Sequence, residues 1–383
     1  MKRVLFVAGT RPEIIKISPL IDIFKRSKQY KIFFGLTGQH KELANQALDI
    51  ESPKPVFNLN LQTANQSLPE LTAMALMGLN REIENIQPDI IIIQGDTTTT
   101  LACALAAYYQ QIPVAHIEAG LRTDDNYSPF PEEVNRKITS IISMFHFSPT
   151  NKAKENLIAE GHNESNIFVV GNTIIDALNQ ITYEIKKTDN SKRLSEYFIR
   201  GYNIQFKDKK TILVTIHRRE SHGKILEEIC LAIKEIARLY KEIQIIIPVH
   251  PNPNVKEIIY ANLKAVDNIY LIQSLNYEHF IYLMMNSYLI LTDSGGIQEE
   301  AISLGKPLII LRKITERLEA IEVGGAVLAG TDKKVILDNF KNIYENKRIY
   351  KEMSEAENPY GDGKASQYIY NIIHSKLKFI NGE

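Results

Sequence analysis

The sequence predicts an α/β protein made of two doubly wound, Rossmann-like halves that face each other across a cleft, and three observations support this. Short apolar runs alternate with amphipathic, helix-like stretches along nearly the whole chain. The runs are apolar at consecutive positions, which is typical of parallel strands buried on both faces. The alternation occurs twice, on either side of a polar, poorly periodic stretch at residues 186–210. A length of 383 residues suits two domains.

The predicted strands follow in chain order, and each precedes helix-like sequence. The first apolar run, of about five residues, is too short for the core of a signal peptide or for a membrane span. It therefore reads as a buried first strand. The predicted strands are residues 4–8, 90–94, 114–117 and 167–170 in the first half, and 211–216, 243–248, 288–292 and 307–311 in the second. The hinge region is predicted between Gly171 and about Lys210.

The charge balance and the cysteine content limit the class of binding partner and the cellular compartment that we predict for the protein. The chain has 45 lysine and arginine residues and 45 aspartate and glutamate residues, so its formal net charge is zero. It therefore lacks the positive charge that is typical of proteins that bind nucleic acid or an anionic membrane. Cys103 and Cys230 are the two cysteines, and they form neither a disulfide framework nor a CxxC zinc pattern. This usage suits the reducing cytosol. We predict a cytoplasmic protein that binds anions only at a local site.

Unusual polar residues come directly after the predicted strands. GTRPEIIK, GDTTTT, EAGLRTDDNYSPFPEE, HRRESHG and DSGGIQEE each follow an apolar run. In open α/β sheets, ligands bind outside the carboxyl ends of the strands. The clustering therefore predicts a binding cleft between the two halves.

The stretch TDSGGIQEEA, at residues 292–301, is the most informative of these strand ends. Asp293 or Ser294 is suited to cap a helix, and Glu299 and Glu300 suit its positive N-terminus. Capping does not explain the two glycines, which cost a helix roughly 1 kcal/mol each relative to alanine. Glycines at a helix start admit an anion to the free backbone N–H groups, and phosphate is the usual guest. We favour this second interpretation.

The strand-end residues supply candidates for a phosphate-binding site, together with three carboxylates and a histidine that could transfer protons. No GxGxxG or GxxxxGK[ST] motif follows a strand, and no His or Cys pair has metal-ligand spacing, so we predict no dinucleotide cofactor and no metal. Ordinary structural roles remain alternatives: helix capping for Asp96, a first-turn position for Glu132 and a core position for His217. The phosphate candidates are Arg11, Arg218, Arg219, Ser294, Gly295 and Gly296, and the acid/base candidates are Asp96, Glu118, Glu132 and His217.

Nine motifs in order resemble the non-hydrolysing UDP-N-acetylglucosamine 2-epimerase family. They are GTRPEIIK, GDTTTT, HIEAGLRT, SPFPEEVNR, GNTIIDAL, HRRE, TDSGGIQEEA, TER and NPYGDG, and the match runs from residue 3 to about residue 370. The resemblance implies a GT-B type fold with domains at residues 1–170 and 171–361 and a C-terminal crossing segment at about 362–383.

The resemblance also implies an activity. A homodimeric enzyme would interconvert UDP-GlcNAc and UDP-ManNAc without metal or redox cofactor, as a source of precursors for bacterial surface polysaccharide. The reaction would be anti-elimination of UDP to 2-acetamidoglucal followed by syn re-addition.

Residue roles follow from the same resemblance. It implies acid/base roles for Asp96, Glu118, Glu132 and His217, and it implies that Glu300 accepts hydrogen bonds from the ribose. Tyr277 and Phe280 fall near the uracil pocket, with ordinary core packing as the alternative. The implied UDP-sugar contacts are Arg11, Lys16, Arg218, Tyr277, Phe280, Ser294, Gly295, Gly296, Glu300 and Arg317, and the possible allosteric residues are Gln39 and Gln46.

One loop departs from the family pattern, and three other functions stay open. The usual RDTTERPE reads RKITERLE here, so Lys313, Ile314 and Leu318 bring substrate preference into question more than reaction class.

The alternatives are a hydrolysing epimerase that releases free ManNAc and UDP, a GT-B glycosyltransferase and a catalytically idle nucleotide-sugar sensor. Pro12 and Glu13, where hydrolysing relatives have Ala-Asp-Tyr, disfavour the first, and the complete acid/base set disfavours the other two.

Overall fold

The computed structural model describes residues 1–38, 54–62, 66–218 and 221–380 of the chain. The possible allosteric residues Gln39 and Gln46, and the phosphate candidate Arg219, lie outside these described residues.

The chain divides into two compact units, which are described separately below. Unit 1 comprises Met1–Ala177 and Tyr360–Glu383, and unit 2 comprises Leu178–Pro359. Unit 1 is therefore assembled from both ends of the chain.

Unit 1 is built on a parallel sheet that, within the described ranges, has seven strands in the order β3-β2-β1-β4-β5-β6-β7. Its order reverses between β1 and β4, as in a doubly wound sheet, and ligands bind at such a reversal point. All residues of β4 are buried, as expected for a central strand covered on both faces. The strands are β1 (Lys2–Ala8), β2 (Tyr30–Leu36), β3 (Phe57–Asn58), β4 (Ile90–Gln94), β5 (Val114–Ile117), β6 (Phe145–Ser148) and β7 (Ile167–Val169).

Helices connect these strands. A capping box formed by Thr10 and Glu13 starts α1, with proline in the first turn. The helices are α1 (Arg11–Arg26), α2 (Leu68–Ile86), α3 (Thr98–Tyr109), α4 (Glu132–Ile142), α5 (Asn151–Ala159) and α6 (Thr173–Lys186), in which the boundary between the units falls.

Unit 2 repeats the plan. In the described part of the chain its parallel sheet has six strands in the order β10-β9-β8-β11-β12-β13, which reverses between β8 and β11. The strands are β8 (Thr211–Thr215), β9 (Gln244–Val249), β10 (Ile269–Gln273), β11 (Leu289–Thr292), β12 (Leu308–Ile310) and β13 (Ala326–Leu328). The helices are α7 (Thr188–Tyr202), α8 (Lys224–Leu239), α9 (Pro253–Leu263), α10 (Tyr277–Met285), α11 (Gly295–Ser303), α12 (Glu319–Glu322), α13 (Lys333–Glu345) and α14 (Lys347–Ser354).

Helix α7 lies where the sequence reads as a polar, poorly periodic stretch. Leu194 and Phe198, one turn apart, are fully buried. The Phe198 ring packs on Phe206 and Tyr282, with ring centroids 5.3 and 5.8 Å apart. The helix therefore depends on a few buried aromatic contacts, and its predominantly polar sequence explains why it was not predicted.

The last helix, α15 (Ala365–Ile380), packs against α1 in unit 1. The rings of Phe24 and Tyr370 meet edge to face at 4.9 Å. Asp176 accepts hydrogen bonds from the backbone N–H groups of Ser366 (2.8 Å) and Ala365 (3.2 Å) at the start of α15. The carboxylate thus stabilises the positive end of this helix.

The predicted α/β class with two doubly wound parallel sheets is confirmed. The sequence did not predict β2, β3, β6, β10 or β13. Strands β3, β10 and β13 are sheet edges, where a strand needs fewer apolar residues, and β6 (FHFS) carries a histidine in its centre. None of the helices in the described ranges combines the length and apolar character needed to cross a membrane.

Candidate active site

Glu13 joins two loops at the reversal point of unit 1. Its carboxylate accepts hydrogen bonds from the backbone N–H groups of Thr10 (2.7 Å) and Gly9 (3.1 Å), after β1, and from the Thr97 hydroxyl (2.9 Å), after β4. Burial is the main cause that raises the pKa of Glu13, and the hydrogen bonds oppose it. Sequence alone gave Glu13 no structural role in the site, because its partner Thr97 lies 84 residues away. The predicted diphosphate contact Arg11 begins α1, directly after the same loop.

Asp96 follows β4 and is held by α4. Gly95 before it has a φ of 76°, which favours glycine. Arg136 donates to a single Asp96 oxygen, Oδ2, from Nε (3.0 Å) and Nη2 (2.7 Å), and Asn135 donates to the Asp96 carbonyl (2.8 Å). Thr97 rather than Asp96 caps α3, so the capping interpretation of Asp96 is wrong. The Asp96 side chain is 28% exposed, and its Oδ1 has no hydrogen-bond donor among the described residues.

Glu118 follows β5 and forms a buried ion pair. Its φ of 65° is uncommon for a residue other than glycine, and such strain concentrates at functional sites. The Glu118 carboxylate accepts hydrogen bonds from Lys16 Nζ, on α1, at 2.5 Å and from the Gln94 amide. The structure therefore places a predicted UDP-sugar contact, Lys16, directly on a predicted acid/base residue.

Glu132 is the first residue of α4, where the helix dipole stabilises a carboxylate. Two cis peptide bonds, Ser128–Pro129 and Phe130–Pro131, precede it. Glu132 lies one turn before Arg136, the residue that holds Asp96. The helix thus carries one acid/base candidate and contacts a second. The first-turn interpretation of Glu132 also fits this position.

His116, within β5, supports the turn before Asp96. Its Nε2 lies 2.7 Å from the Gly95 carbonyl oxygen, which only accepts, so the ring carries its proton on Nε2. Burial lowers the pKa of His116 to about 4, and the ring is neutral at neutral pH. Protonation of His116 is therefore confined to acid conditions, where it would destabilise the fold.

Asp293 joins two loops at the reversal point of unit 2. This fully buried carboxylate accepts hydrogen bonds from the backbone N–H groups of Arg218 (2.9 Å) and His217 (3.0 Å) and from the Ser221 hydroxyl (3.1 Å). Ser294 is the N-cap residue of α11 but makes no side-chain cap hydrogen bond. The predicted cap position is therefore correct for Ser294, although it makes no cap hydrogen bond, and Glu299 and Glu300 lie beyond the first turn. Asp293 does not cap α11 and instead fixes the loop that carries His217.

His217 is at the surface of unit 2 rather than in its core. Its side chain is 38% exposed, Nδ1 lies 3.5 Å from Asp293 Oδ1, and its ring stacks on His250 with centroids 5.8 Å apart. The core-histidine interpretation is therefore wrong. The neighbouring Arg218 places Nη2 3.9 Å from Glu316 Oε1.

Gly295 and Gly296 are the first two residues of α11, and different constraints act on them. A Cβ added at Gly295 would lie 2.6 Å from Arg317 Nη1 and 2.8 Å from Glu316 Oε1. A Cβ at Gly296 would meet no heavy atom of the described residues within 4 Å. Close packing therefore explains Gly295, whereas Gly296 borders open space at the helix start.

Arg317 is buried beneath this helix start. Its Nε donates to Glu299 Oε1 at 2.6 Å, and its Nη1 donates to Glu316. Arg312 Nη1 also donates to Glu316, at 2.9 Å. Arg317, predicted as a UDP-sugar contact, thus belongs to a buried ion network behind the first turn of α11, in which two arginines are balanced by the carboxylates of Glu299 and Glu316.

Glu300 contacts a second predicted residue. The Tyr277 hydroxyl, on α10, donates to Glu300 Oε1 at 2.8 Å, and both side chains are buried. Phe280, on the same helix as Tyr277, is half-buried. Three candidates for the nucleoside are therefore gathered on α10 and α11. Among the described residues, no group of three or more His, Cys, Asp and Glu side chains is arranged to hold a metal ion.

Comparison with known proteins gives consistent matches. Residues 23–374 match a family model described as UDP-N-acetylglucosamine 2-epimerase. The UDP-N-acetylglucosamine 2-epimerase of Escherichia coli K12 is 46% identical over 371 residues, which cover 97% of this chain and 98% of the relative.

Solved structures are similar as well. The crystal structure of UDP-GlcNAc 2-epimerase from Neisseria meningitidis bound to UDP-GlcNAc has a TM-score of 0.94 at 43% identity, and covers 97% of this chain and 100% of that chain. The structure of the Methanocaldococcus jannaschii UDP-GlcNAc 2-epimerase in complex with UDP-GlcNAc and UDP has a TM-score of 0.87 at 36% identity, and covers 98% of this chain and 100% of that chain.

Proposed function

The chain belongs to the UDP-N-acetylglucosamine 2-epimerase family, and we propose that it interconverts UDP-GlcNAc and UDP-ManNAc without releasing the free sugar. The observation that carries the proposal is the content of the two reversal points. The one in unit 1 holds Asp96 and Glu118, and the one in unit 2 has an open helix start at Gly296 next to His217. Proton-transferring groups and an anion site are what this reaction needs.

The substrate chemistry dictates the order of events. The carbon-2 proton of the sugar has no neighbouring carbonyl group, so a carboxylate cannot remove it directly. When the C1–O bond breaks, its electron pair leaves with UDP, and the ring becomes oxocarbenium-like. The carbon-2 proton is then acidic, and its departure to a carboxylate leaves the C1=C2 double bond of 2-acetamidoglucal. Stabilisation of the departing diphosphate is therefore the first requirement.

Unit 2 is proposed to bind the departing UDP. The first-turn N–H groups of a helix have no partners within the helix and attract anions. At the start of α11 the absence of a side chain at Gly296 leaves these groups accessible. Preorganised donors aimed at developing charge contribute several kcal/mol to catalysis, roughly 3 for one donor. Arg218 and Arg11 remain proposed diphosphate contacts, and Tyr277, Phe280 and Glu300 remain proposed nucleoside contacts.

Unit 1 is proposed to move the protons. One carboxylate takes the carbon-2 proton, and another group returns a proton to the opposite face of carbon 2 while the UDP oxygen re-forms the bond to carbon 1. Two faces require two acid/base groups, and Asp96, Glu118 and Glu132 are the proposed ones, with His217 of unit 2. Lys16, paired with Glu118, is proposed to stabilise its charged form. The elimination is proposed to be anti and the re-addition syn.

Proton NMR in D₂O tests the proposed reaction. We expect UDP-GlcNAc to become UDP-ManNAc with deuterium at carbon 2, because the abstracted proton exchanges with solvent before it is returned. UDP should stay attached at equilibrium, apart from occasional escape of UDP and 2-acetamidoglucal. Epimerisation with full retention of the carbon-2 hydrogen would contradict the mechanism.

The same spectra separate the other functions. A hydrolysing epimerase would accumulate free ManNAc and an equal amount of UDP. A glycosyltransferase without its acceptor, or an idle sensor, would leave carbon 2 unlabelled. Supply of precursors for surface polysaccharide is part of the proposal and is supported by the resemblance alone. A cytoplasmic location is likewise proposed from the two cysteines, which are free and buried.

We also propose that the enzyme is a homodimer that associates through an exposed apolar patch of unit 1. The patch consists of Tyr108, Tyr109, Ile141 and Met144. It lies at the C-terminal ends of α3 and α4, which pack against each other. Exposed apolar patches of this kind mark interaction surfaces.

Light scattering of purified protein tests the patch. The wild-type chain should have twice the mass of one chain, and Tyr108→Glu with Ile141→Glu should reduce it to the mass of one chain, because the charges cannot be buried unpaired. Tyr183→Glu, at an exposed tyrosine of α6, is the control and should stay dimeric. A monomeric wild type, or a doubly charged variant that remains dimeric, would exclude this patch.

A further inference from the structure

Arg136 holds Asp96 in a geometry that an incidental ion pair does not need. Two of its nitrogens, Nε and Nη2, donate to the same carboxylate oxygen, Oδ2, at 3.0 and 2.7 Å. Its third nitrogen, Nη1, donates to Glu133 Oε2 at 2.7 Å. Arg136 is 4% exposed, and Glu133 is fully buried. Because the planar guanidinium of Arg136 is hydrogen-bonded to Glu133 as well as to Asp96, it fixes the orientation of the Asp96 carboxylate.

The turn that carries Asp96 is held from several sides as well. His116 Nε2 donates to the Gly95 carbonyl at 2.7 Å, and Asn135 donates to the Asp96 carbonyl at 2.8 Å. The backbone and one carboxylate oxygen are therefore both constrained. Oδ1 is the oxygen left over in the described part of the chain, and the side chain remains partly exposed.

We propose that Arg136 is a positioning residue that presents Asp96 Oδ1 to the carbon-2 proton of the sugar. The inference rests on the proposed epimerase function, in which Asp96 is an acid/base group. Proton transfer requires the base within hydrogen-bond reach of the proton, and an error of about 1 Å costs about 100-fold in rate. A lysine at this position would supply the charge but not the two rigidly spaced donors that converge on Oδ2, so shape as well as charge is needed.

The competing explanation is that Arg136 only stabilises the fold. Unit 1 offers a comparison, because Arg122 also makes a two-donor contact with a carboxylate: its Nε and Nη2 donate to Oε1 and Oε2 of Glu160, both at 2.7 Å. Glu160 has no proposed chemical role. Both arginine side chains are 4% exposed. Arg122→Lys therefore also removes a two-donor contact between an arginine and a carboxylate, without touching the proposed acid/base residues.

The experiment compares Arg136→Lys, Arg122→Lys, Asp96→Asn and the double variant Asp96→Asn with Arg136→Lys. We expect Arg136→Lys to lower kcat about 10- to 100-fold and to leave KM within about twofold, because only the proton transfer is affected. The isotope effect on kcat with substrate deuterated at carbon 2 should increase, since proton transfer becomes rate-limiting. In the Asp96→Asn background the same change should cost less than about threefold, because residues that act through one another are non-additive.

The outcomes separate the inference from the proposed function. Equal losses of kcat in Arg136→Lys and Arg122→Lys, multiplicative losses in the double variant, or a loss confined to KM would each overturn the positioning role. Melting curves identify a variant that has unfolded, and in that case the isotope effect of Arg136→Gln replaces that of Arg136→Lys. A wild-type enzyme that incorporates no deuterium at carbon 2 would instead reject the proposed function.

Discussion

Asp96→Asn, Glu118→Gln and Glu132→Gln should each lower kcat at least about 100-fold, because each variant loses a group proposed to transfer a proton. A 100-fold loss corresponds to about 2.7 kcal/mol in the activation barrier. The measurement is the initial rate of UDP-ManNAc formation at saturating UDP-GlcNAc. His217→Asn should also be slower, since His217 is exposed beside the proposed UDP site. Glu155→Gln, at an exposed glutamate of α5, is the control and should keep full activity.

Stability needs separate measurement in this series. Glu118→Gln removes the negative charge from the buried ion pair with Lys16, and breaking a buried pair costs roughly 3 to 5 kcal/mol of folding free energy. Its kcat is therefore interpreted only at a temperature where the variant is folded. Asp96 is partly exposed and should be less sensitive. A folded variant that retains more than about a tenth of the wild-type kcat would remove that residue from the acid/base set.

Much of the fold was predictable because the inner strands are continuous apolar runs. Strands β4 and β5 have the predicted bounds, since a strand covered on both faces must be apolar at every position. The strand-end rule then located Asp96, Glu118, His217 and the start of α11, because polar residues follow these runs directly. Strands β2, β3, β6, β10 and β13 and helix α7 were missed, since their stability depends on tertiary contacts more than on a local apolar pattern.

The partners of the site residues were not predictable. Asp96 pairs with a residue 40 positions away, Glu13 with one 84 positions away, and Asp293 with one 76 positions away. Each pair joins segments that follow different strands, and the strand order decides which of these segments meet. Arg136 and Asp293 were quoted within motifs, but nothing local distinguishes a residue that orients a neighbour from one that caps a helix. The pairs required three-dimensional structure.

The two glycines of α11 show the same limit. In sequence they are equivalent, and both were predicted to admit the diphosphate. In the structure, packing alone requires a glycine at position 295, because a Cβ there would collide with the side chains of Arg317 and Glu316. Only Gly296 borders open space, so a test of the anion site must use Gly296.

Gly296→Val should weaken UDP binding at least about 100-fold, because a branched side chain would occupy the space in front of the first-turn N–H groups. Hydrogen bonds to a charged group contribute roughly 1.5 to 3 kcal/mol each, so the loss of two accounts for this factor. The variant should fold, since a Cβ at this position meets no heavy atom of the described residues within 4 Å. Isothermal titration calorimetry with UDP measures the effect.

Two control variants make the calorimetric result specific. Gly201→Val makes the same substitution in α7, where a Cβ also meets nothing among the described residues, so it accounts for the helix cost of valine and should bind UDP as the wild type does. Gly295→Ala should instead lower the melting temperature, because its Cβ would lie 2.6 Å from Arg317 Nη1. Folded Gly296→Val that binds UDP with wild-type affinity would reject the anion site at α11, whatever the activity of the enzyme. If Gly296→Val loses UDP affinity while Gly201→Val keeps it, the loss arises from blocked access to the helix start rather than from valine in a helix.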